Sequence, residues 1–196
     1  MASDERPAGE STHDPRVLRA IAHPLRNRIL TELSAGGPMR AADLAEELRI
    51  PANQASFHLR TLAKYGLIEE DPEAARDRRD RVWRMAADAN LTFNVADLEQ
   101  TPGGKAAVQV FRRTASAWAH ALVDRAYSSD REPETVRRIT EHAVRLTKEE
   151  AVQLGEELDA VVDGWISRTR GRDTDRRTYL LFSMLQPYPD DEATED

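Results

Sequence analysis

The sequence predicts a mainly α-helical chain with one small β-wing, and three observations carry that expectation. Residues 41–65 hold a short amphipathic segment, a turn and a second amphipathic segment, each with helical spacing of its apolar residues. Gly66 then stops the second helix, Leu67-Ile68 starts a strand, and Arg81-Val82-Trp83-Arg84-Met85 reads as its partner across an arginine-rich segment. Beyond residue 87, apolar residues recur at three- and four-residue intervals over long stretches. Helix, turn, helix, strand, basic loop, strand is the outline of a winged helix-turn-helix, followed here by a helical C-terminal region for dimerisation or regulation.

Taken in order, residues 1–14 are polar and read as a disordered tail, residues 15–90 as the winged domain, and residues 91–196 as the helical region. A first helix is expected from Pro15, with Val17, Leu18, Ile21 and Ala22 on one side. His23-Pro24 interrupts it, because a residue before proline is pushed out of the helical region. Pro24 suits the first turn of a new helix carrying Leu25, Ile29, Leu30 and Leu33, which Ala35-Gly36-Gly37-Pro38 ends. Ala41 to Leu48 follows with Leu44, Ala45 and Leu48, then a turn at Arg49-Ile50. The next helix, from Pro51, buries Ala55, Leu59 and Leu62 and leaves Asn53, Gln54, Ser56, Phe57, Arg60 and Lys64 on other sides.

In the C-terminal half, Gly103 to Ser128 reads as one long helix with a seam of Val108, Phe111, Ala115, Trp118 and Leu122. Glu134 to Leu146 reads as a second helix, with Val136, Ile139, Ala143 and Leu146. Thr147-Lys148-Glu149-Glu150 is a capping box that opens a third. That helix carries Ala151, Leu154, Leu158, Val161, Val162 and Trp165 and ends near Gly171. Thr178 to Leu185 is apolar enough for a strand, with Leu91 to Val95 as its suggested partner.

Composition bounds the function. Hydrophobic residues at 40% and charged residues at 32% describe a folded domain rather than a disordered chain. With no cysteine, a disulfide framework and a thiolate metal site are excluded. No long apolar run and no signal-like N-terminus are present, so a cytoplasmic location without membrane insertion is expected. The net charge of −7 is unevenly spread. Residues 15–86 hold thirteen Lys/Arg against ten Asp/Glu, whereas residues 87–196 hold fourteen against twenty-one. The positive balance therefore coincides with the helix-turn-helix, and an acidic remainder would face away from phosphate.

Residues 21–85 resemble the ArsR-like winged-helix transcription regulators. The matching stretches are Ala22-His23-Pro24-Leu25-Arg26 with Arg28-Ile29-Leu30, Asp43-Leu44-Ala45 with Leu48, Ser56-Phe57-His58-Leu59-Arg60 with Leu62, and Gly66-Leu67-Ile68. The resemblance implies a homodimer that presents two recognition helices to double-stranded DNA and represses transcription. Two departures stand out: Arg40 and Pro51 occupy helix starts where the family often has a hydroxyl residue, and both remove a hydroxyl that would bind phosphate.

On this reading Asn53, Gln54, Ser56, Phe57 and Arg60 face base edges, Asn and Gln suiting adenine and Arg suiting guanine. Arg40, Lys64, Arg78, Arg79 and Arg81 would hold phosphate or enter the minor groove. Trp118, Trp165, Tyr179 and Phe182 are either core or the lining of a pocket for a small-molecule effector. His120 with Asp124 and Glu141-His142 read as surface residues rather than a metal site, His58 as a packing and capping residue, and His23 as structural. No cofactor, metal site or paired catalytic acid and base is expected, and Thr101-Pro102-Gly103-Gly104-Lys105 lacks the spacing of a phosphate loop. An enzyme is not expected. Two rivals remain: a ligand-responsive regulator, and a winged helix used for protein–protein assembly.

Overall fold

The computed structural model describes residues 14–75, 81–87, 93–130, 132–171 and 176–189. It divides into two units, residues 1–140 and 141–196.

In the first unit, α1 (Pro15–Ile21) and α2 (Pro24–Gly36) each begin with proline after a side-chain cap. Asp14 accepts from the Arg16 N–H at 2.8 Å, and Nδ1 of His23 accepts from the Leu25 N–H at 3.2 Å. The short strand β1 (Met39–Arg40) leads into α3 (Ala41–Glu47), and α4 (Ala52–Lys64) follows. Between α3 and α4 the chain turns at Arg49, whose φ of 53° is left-handed. Strands β2 (Ile68–Glu70) and β3 (Val82–Met85) complete an antiparallel sheet of order β1-β3-β2. Register pairs Met39 with Trp83, Ile68 with Met85 and Glu69 with Arg84. Then come α5 (Val95–Gln100) and the long α6 (Gly104–Tyr127).

One core holds these elements together. Leu18, Ile29, Leu33, Leu44, Leu59, Leu62, Leu98 and Val108 are all fully buried. α3 packs on α4, α2 on α4 and β3, and α6 on both α1 and α5. The α5–α6 corner needs glycine twice. Gly103 has a φ of 77°, and a Cβ at Gly104 would overlap the Leu98 carbonyl. Only the start of α6 is buried, at Gly104, Ala107 and Val108; further along its seam Ala115 and Leu122 are half-buried and Trp118 is exposed.

The second unit contains α7 (Lys148–Thr169), opened by a complete capping box. Thr147 Oγ1 accepts from the Glu150 N–H at 3.2 Å, and the Glu150 carboxylate accepts from the Thr147 N–H at 2.7 Å. No residue of α7 is buried.

Three expectations are overturned and two elements are additional. Residues 134–146 form no helix. Glu134 takes a left-handed φ of 61°, and Val136, Ile139, Val144 and Leu146 are exposed. A 13-residue amphipathic stretch gains little from helix formation when nothing covers its apolar side. Thr178 to Leu185 is not a strand, and neither are the described residues of its suggested partner, 93–95. Leu91 lies outside the described residues, Asn94 caps α5 and Val95 is its first residue. A strand without a ladder leaves its backbone groups unpaired. The additional elements are β1, too short to show a period, and α5, capped by the Asn94 side chain.

Candidate nucleic-acid interface

Helix α4 owes its orientation to its apolar stripe. Ala55, Leu59 and Leu62 are completely buried, and His58 nearly so, which turns the opposite side outward. There Asn53, Gln54, Phe57, Arg60 and Lys64 are exposed and Ser56 is half-buried. Phe57 keeps 59% of its surface accessible, an unusual exposure for a large apolar ring. Asn53 Oδ1 accepts from the Gln54 N–H at 2.9 Å, leaving its amide NH2 outward. The Ser56 hydroxyl donates to the Ala52 carbonyl at 2.9 Å, which ties that side chain back to its own helix. Arg60 donates from Nε to the Ser56 carbonyl at 3.1 Å.

A groove of about 530 Å³ runs beside this surface, lined by Arg40, Ala41, Ala42, Ala52, Ser56, Arg60, Arg81 and Trp83. It brings three of the arginines singled out in the sequence to one place, from the start of α3, the middle of α4 and the edge of β3. No carboxylate lines it. Arg40 is fixed by the Asp43 carboxylate through two bonds, Nε to Oδ2 at 3.0 Å and Nη2 to Oδ1 at 2.8 Å. Arg81 lies 3.5 Å from Glu70 and is largely exposed. Neither Arg40 nor Pro51 supplies a side-chain cap to the helix it precedes. Lys64 stands at the far end of α4, away from the groove lining. Arg78 and Arg79 lie outside the described residues.

The hairpin is braced by charge on its own surface. Arg84 Nε donates to Glu69 at 2.8 Å across the ladder and its Nη1 lies 3.7 Å from Asp71. The hydrogen bond to Glu69 raises the Arg84 pKa above its ordinary value, followed by the Coulomb attraction of the same carboxylate. Asp71 Oδ1 accepts from the Glu73 and Ala74 N–H groups at 3.2 and 3.3 Å, shaping the turn that leaves β2.

His58 docks α4 on the junction of α1 and α2. Its ring lies 4.7 Å from that of His23 and 5.2 Å from that of Phe57. Burial first, then the neighbouring His23 and Arg26, hold the His58 pKa below its ordinary value, and burial followed by Arg26 does the same for His23. Nδ1 of His58 is buried without a partner, so His58 packs but does not cap; the capping imidazole is His23.

The four aromatic residues suggested as a pocket lining divide between the two units, Trp118 in the first and the other three in the second. Trp118, Trp165, Tyr179 and Phe182 are each exposed, and Trp165 has the Arg168 guanidinium 4.2 Å above its ring. Among the described residues no group of three His, Cys, Asp or Glu could hold a metal ion. No helix of the described residues is long and apolar enough to cross a membrane. Sequence reasoning missed Trp83 in the groove lining and Asp43 as the partner of Arg40; the i, i+3 spacing of Arg40 and Asp43 was the available signal.

Residues 21–71 match the family model of a helix-turn-helix domain, which spans α2 to α4 and the first strand of the wing. No curated protein matches the chain. Among solved structures it is similar to Lactococcus lactis ZitR (C30AH42A mutant, apo form), at 19% identity over 74% of this chain and 83% of that one, with a TM-score of 0.32. It is also similar to transcriptional regulator Tm0710 from Thermotoga maritima, at 17% identity, 78% and 82% coverage and a TM-score of 0.30. Wild-type MarR from E. coli (apo form) matches at 14% identity, 76% and 87% coverage and a TM-score of 0.33. Element order, strand register and the family match together show a winged helix-turn-helix in the first unit.

Proposed function

We propose that this protein is a sequence-specific DNA-binding transcription regulator, ArsR-like in its winged domain, that acts as a homodimer and represses. The observation that carries this reading is α4 itself. Its apolar stripe is fully buried, while its outward side offers amide, aromatic and guanidinium groups beside a groove of arginines. Asn53, Gln54, Ser56, Phe57 and Arg60 then address base edges in the major groove, Phe57 meeting a thymine methyl. Arg40, Arg81 and Lys64 hold the backbone, with Arg78 and Arg79 of the wing segment near the minor groove. The bare apolar sides of α6 and α7 suit pairing of two protomers, which sets half-sites about one DNA turn apart, roughly 34 Å. DNA as partner carries the cytoplasmic expectation with it, and no cofactor or catalytic step is required.

Selection of bound fragments from the organism's own DNA, followed by titration at several salt concentrations, tests this reading. Wild-type binding should be sequence-dependent and steeply salt-sensitive. Arg60→Ala should cost roughly 1–3 kcal/mol on the selected fragment and relax base preference. Binding that is insensitive to salt, or an Arg60→Ala variant with unchanged affinity, would exclude α4 as the recognition element.

A further inference from the structure

Among the described residues, Asp43 is a carboxylate about nine-tenths buried that pairs with an arginine of the groove. It does not itself line the groove. Its two oxygens grip Nε and Nη2 of Arg40 at 3.0 and 2.8 Å, a planar two-point contact that fixes the guanidinium plane. Asp43 sits in the first turn of α3, where an acidic residue is favoured, so its own position is set by the helix. The same groove is lined by Arg60, whose Nε is already taken by the Ser56 carbonyl, and by Arg81, just before β3.

We infer that Asp43 is a positioning residue for backbone recognition: it holds Arg40 so that Arg40, Arg60 and Arg81 together clamp a DNA phosphodiester in the groove between α4 and β3. This rests on the DNA-binding reading above and adds a role for a residue that reading leaves unused. Arg40 stands where a capping hydroxyl would otherwise meet phosphate, and a long flexible side chain replaces a short one usefully only if its rotamers are restricted. An ion pair to a buried carboxylate supplies that restriction, lowering the ordering cost at the moment of binding.

The inference makes a prediction of unusual sign. Removing a negative charge near DNA should tighten binding if Coulomb attraction alone decides. Asp43→Asn should instead weaken it, with Kd raised on the order of 10-fold, as for the loss of one hydrogen bond to a charged group. The slope of log K against log salt should fall by about 1 in Arg40→Gln and in the same direction in Asp43→Asn. On the positioning role, the double variant should bind no more weakly than Arg40→Gln alone. Circular dichroism and Tm verify folding of each variant. Arg40→Lys, which keeps the charge and the carboxylate but loses the fork, should also raise Kd and so reports on positioning even if Asp43→Asn does not fold. Tighter or unchanged binding by folded Asp43→Asn, or wild-type affinity of Arg40→Lys, overturns the positioning role while leaving DNA binding intact. Failure of the wild type to bind any selected fragment overturns both.

Discussion

Helices α4 and α7 are both long and amphipathic, yet they solve opposite problems. The 13-residue α4 starts at Pro51 with no side-chain cap and has three completely buried residues. The 22-residue α7 has a full capping box and no buried residue. Local signals and tertiary burial are therefore independent in this chain. A cap satisfies backbone N–H groups whatever surrounds the helix, whereas an apolar stripe only states that a partner is needed. In α4 that partner is the rest of the winged domain. In α7 the stripe of Leu158, Val161 and Trp165 is still open.

Core truncations should separate the two helices most strongly. Leu59→Ala should cost about 2–5 kcal/mol in urea unfolding, a large part of the 5–15 kcal/mol typical of a domain. Leu158→Ala, at a residue 49% exposed, should change unfolding by less than about 0.5 kcal/mol at low protein concentration. It should instead weaken self-association measured by sedimentation, as the proposed homodimer requires. A loss as large as that of Leu59→Ala at every concentration would show that α7 is buried within one protomer.

A smaller effect separates capping from packing. Thr147→Ala should cost about 1 kcal/mol in the first turn of α7. Because α7 has no core to report the loss, amide exchange at residues 148–151 should quicken about 5-fold while the global Tm stays constant. A fall in Tm of several degrees would mean that α7 unfolds together with the winged domain.

Acid should act on the seat of α4. His58 and His23 have folded-state pKa values held below the ordinary 6.5, so the unfolded chain takes up protons first as pH falls. Their neutral forms contribute fully above about pH 6.5, and that contribution is lost as pH descends toward the folded-state values. Stability should therefore decline between pH 7 and pH 5. His58→Phe should flatten the decline, measured by urea midpoints across that range. An unchanged slope would place the acid sensitivity elsewhere.

Much of the winged domain was legible because its signals agree. Pro15 and Pro24 mark helix starts, Gly66 a stop, and Leu59 and Leu62 a stripe that the core then buries. Arg60 was readable as outward-facing from that stripe. The groove it shares with Arg40 and Arg81 was not, because residues 40, 60 and 81 converge only when β1 pairs with β3 and α4 packs on α3. Residues 134–146 and 178–185 failed for the reverse reason: their apolar character is real, but their large apolar side chains stay exposed.

Period, proline, glycine and charge were enough to state that a basic helix-turn-helix with a β-wing stands at the N-terminal end, since each is a local property of the chain. Which arginines meet, which carboxylate orients Arg40, which histidine caps and which merely packs depend on distances between residues far apart in sequence. Those distances follow from how the apolar stripes share one core, a constraint that no single segment carries.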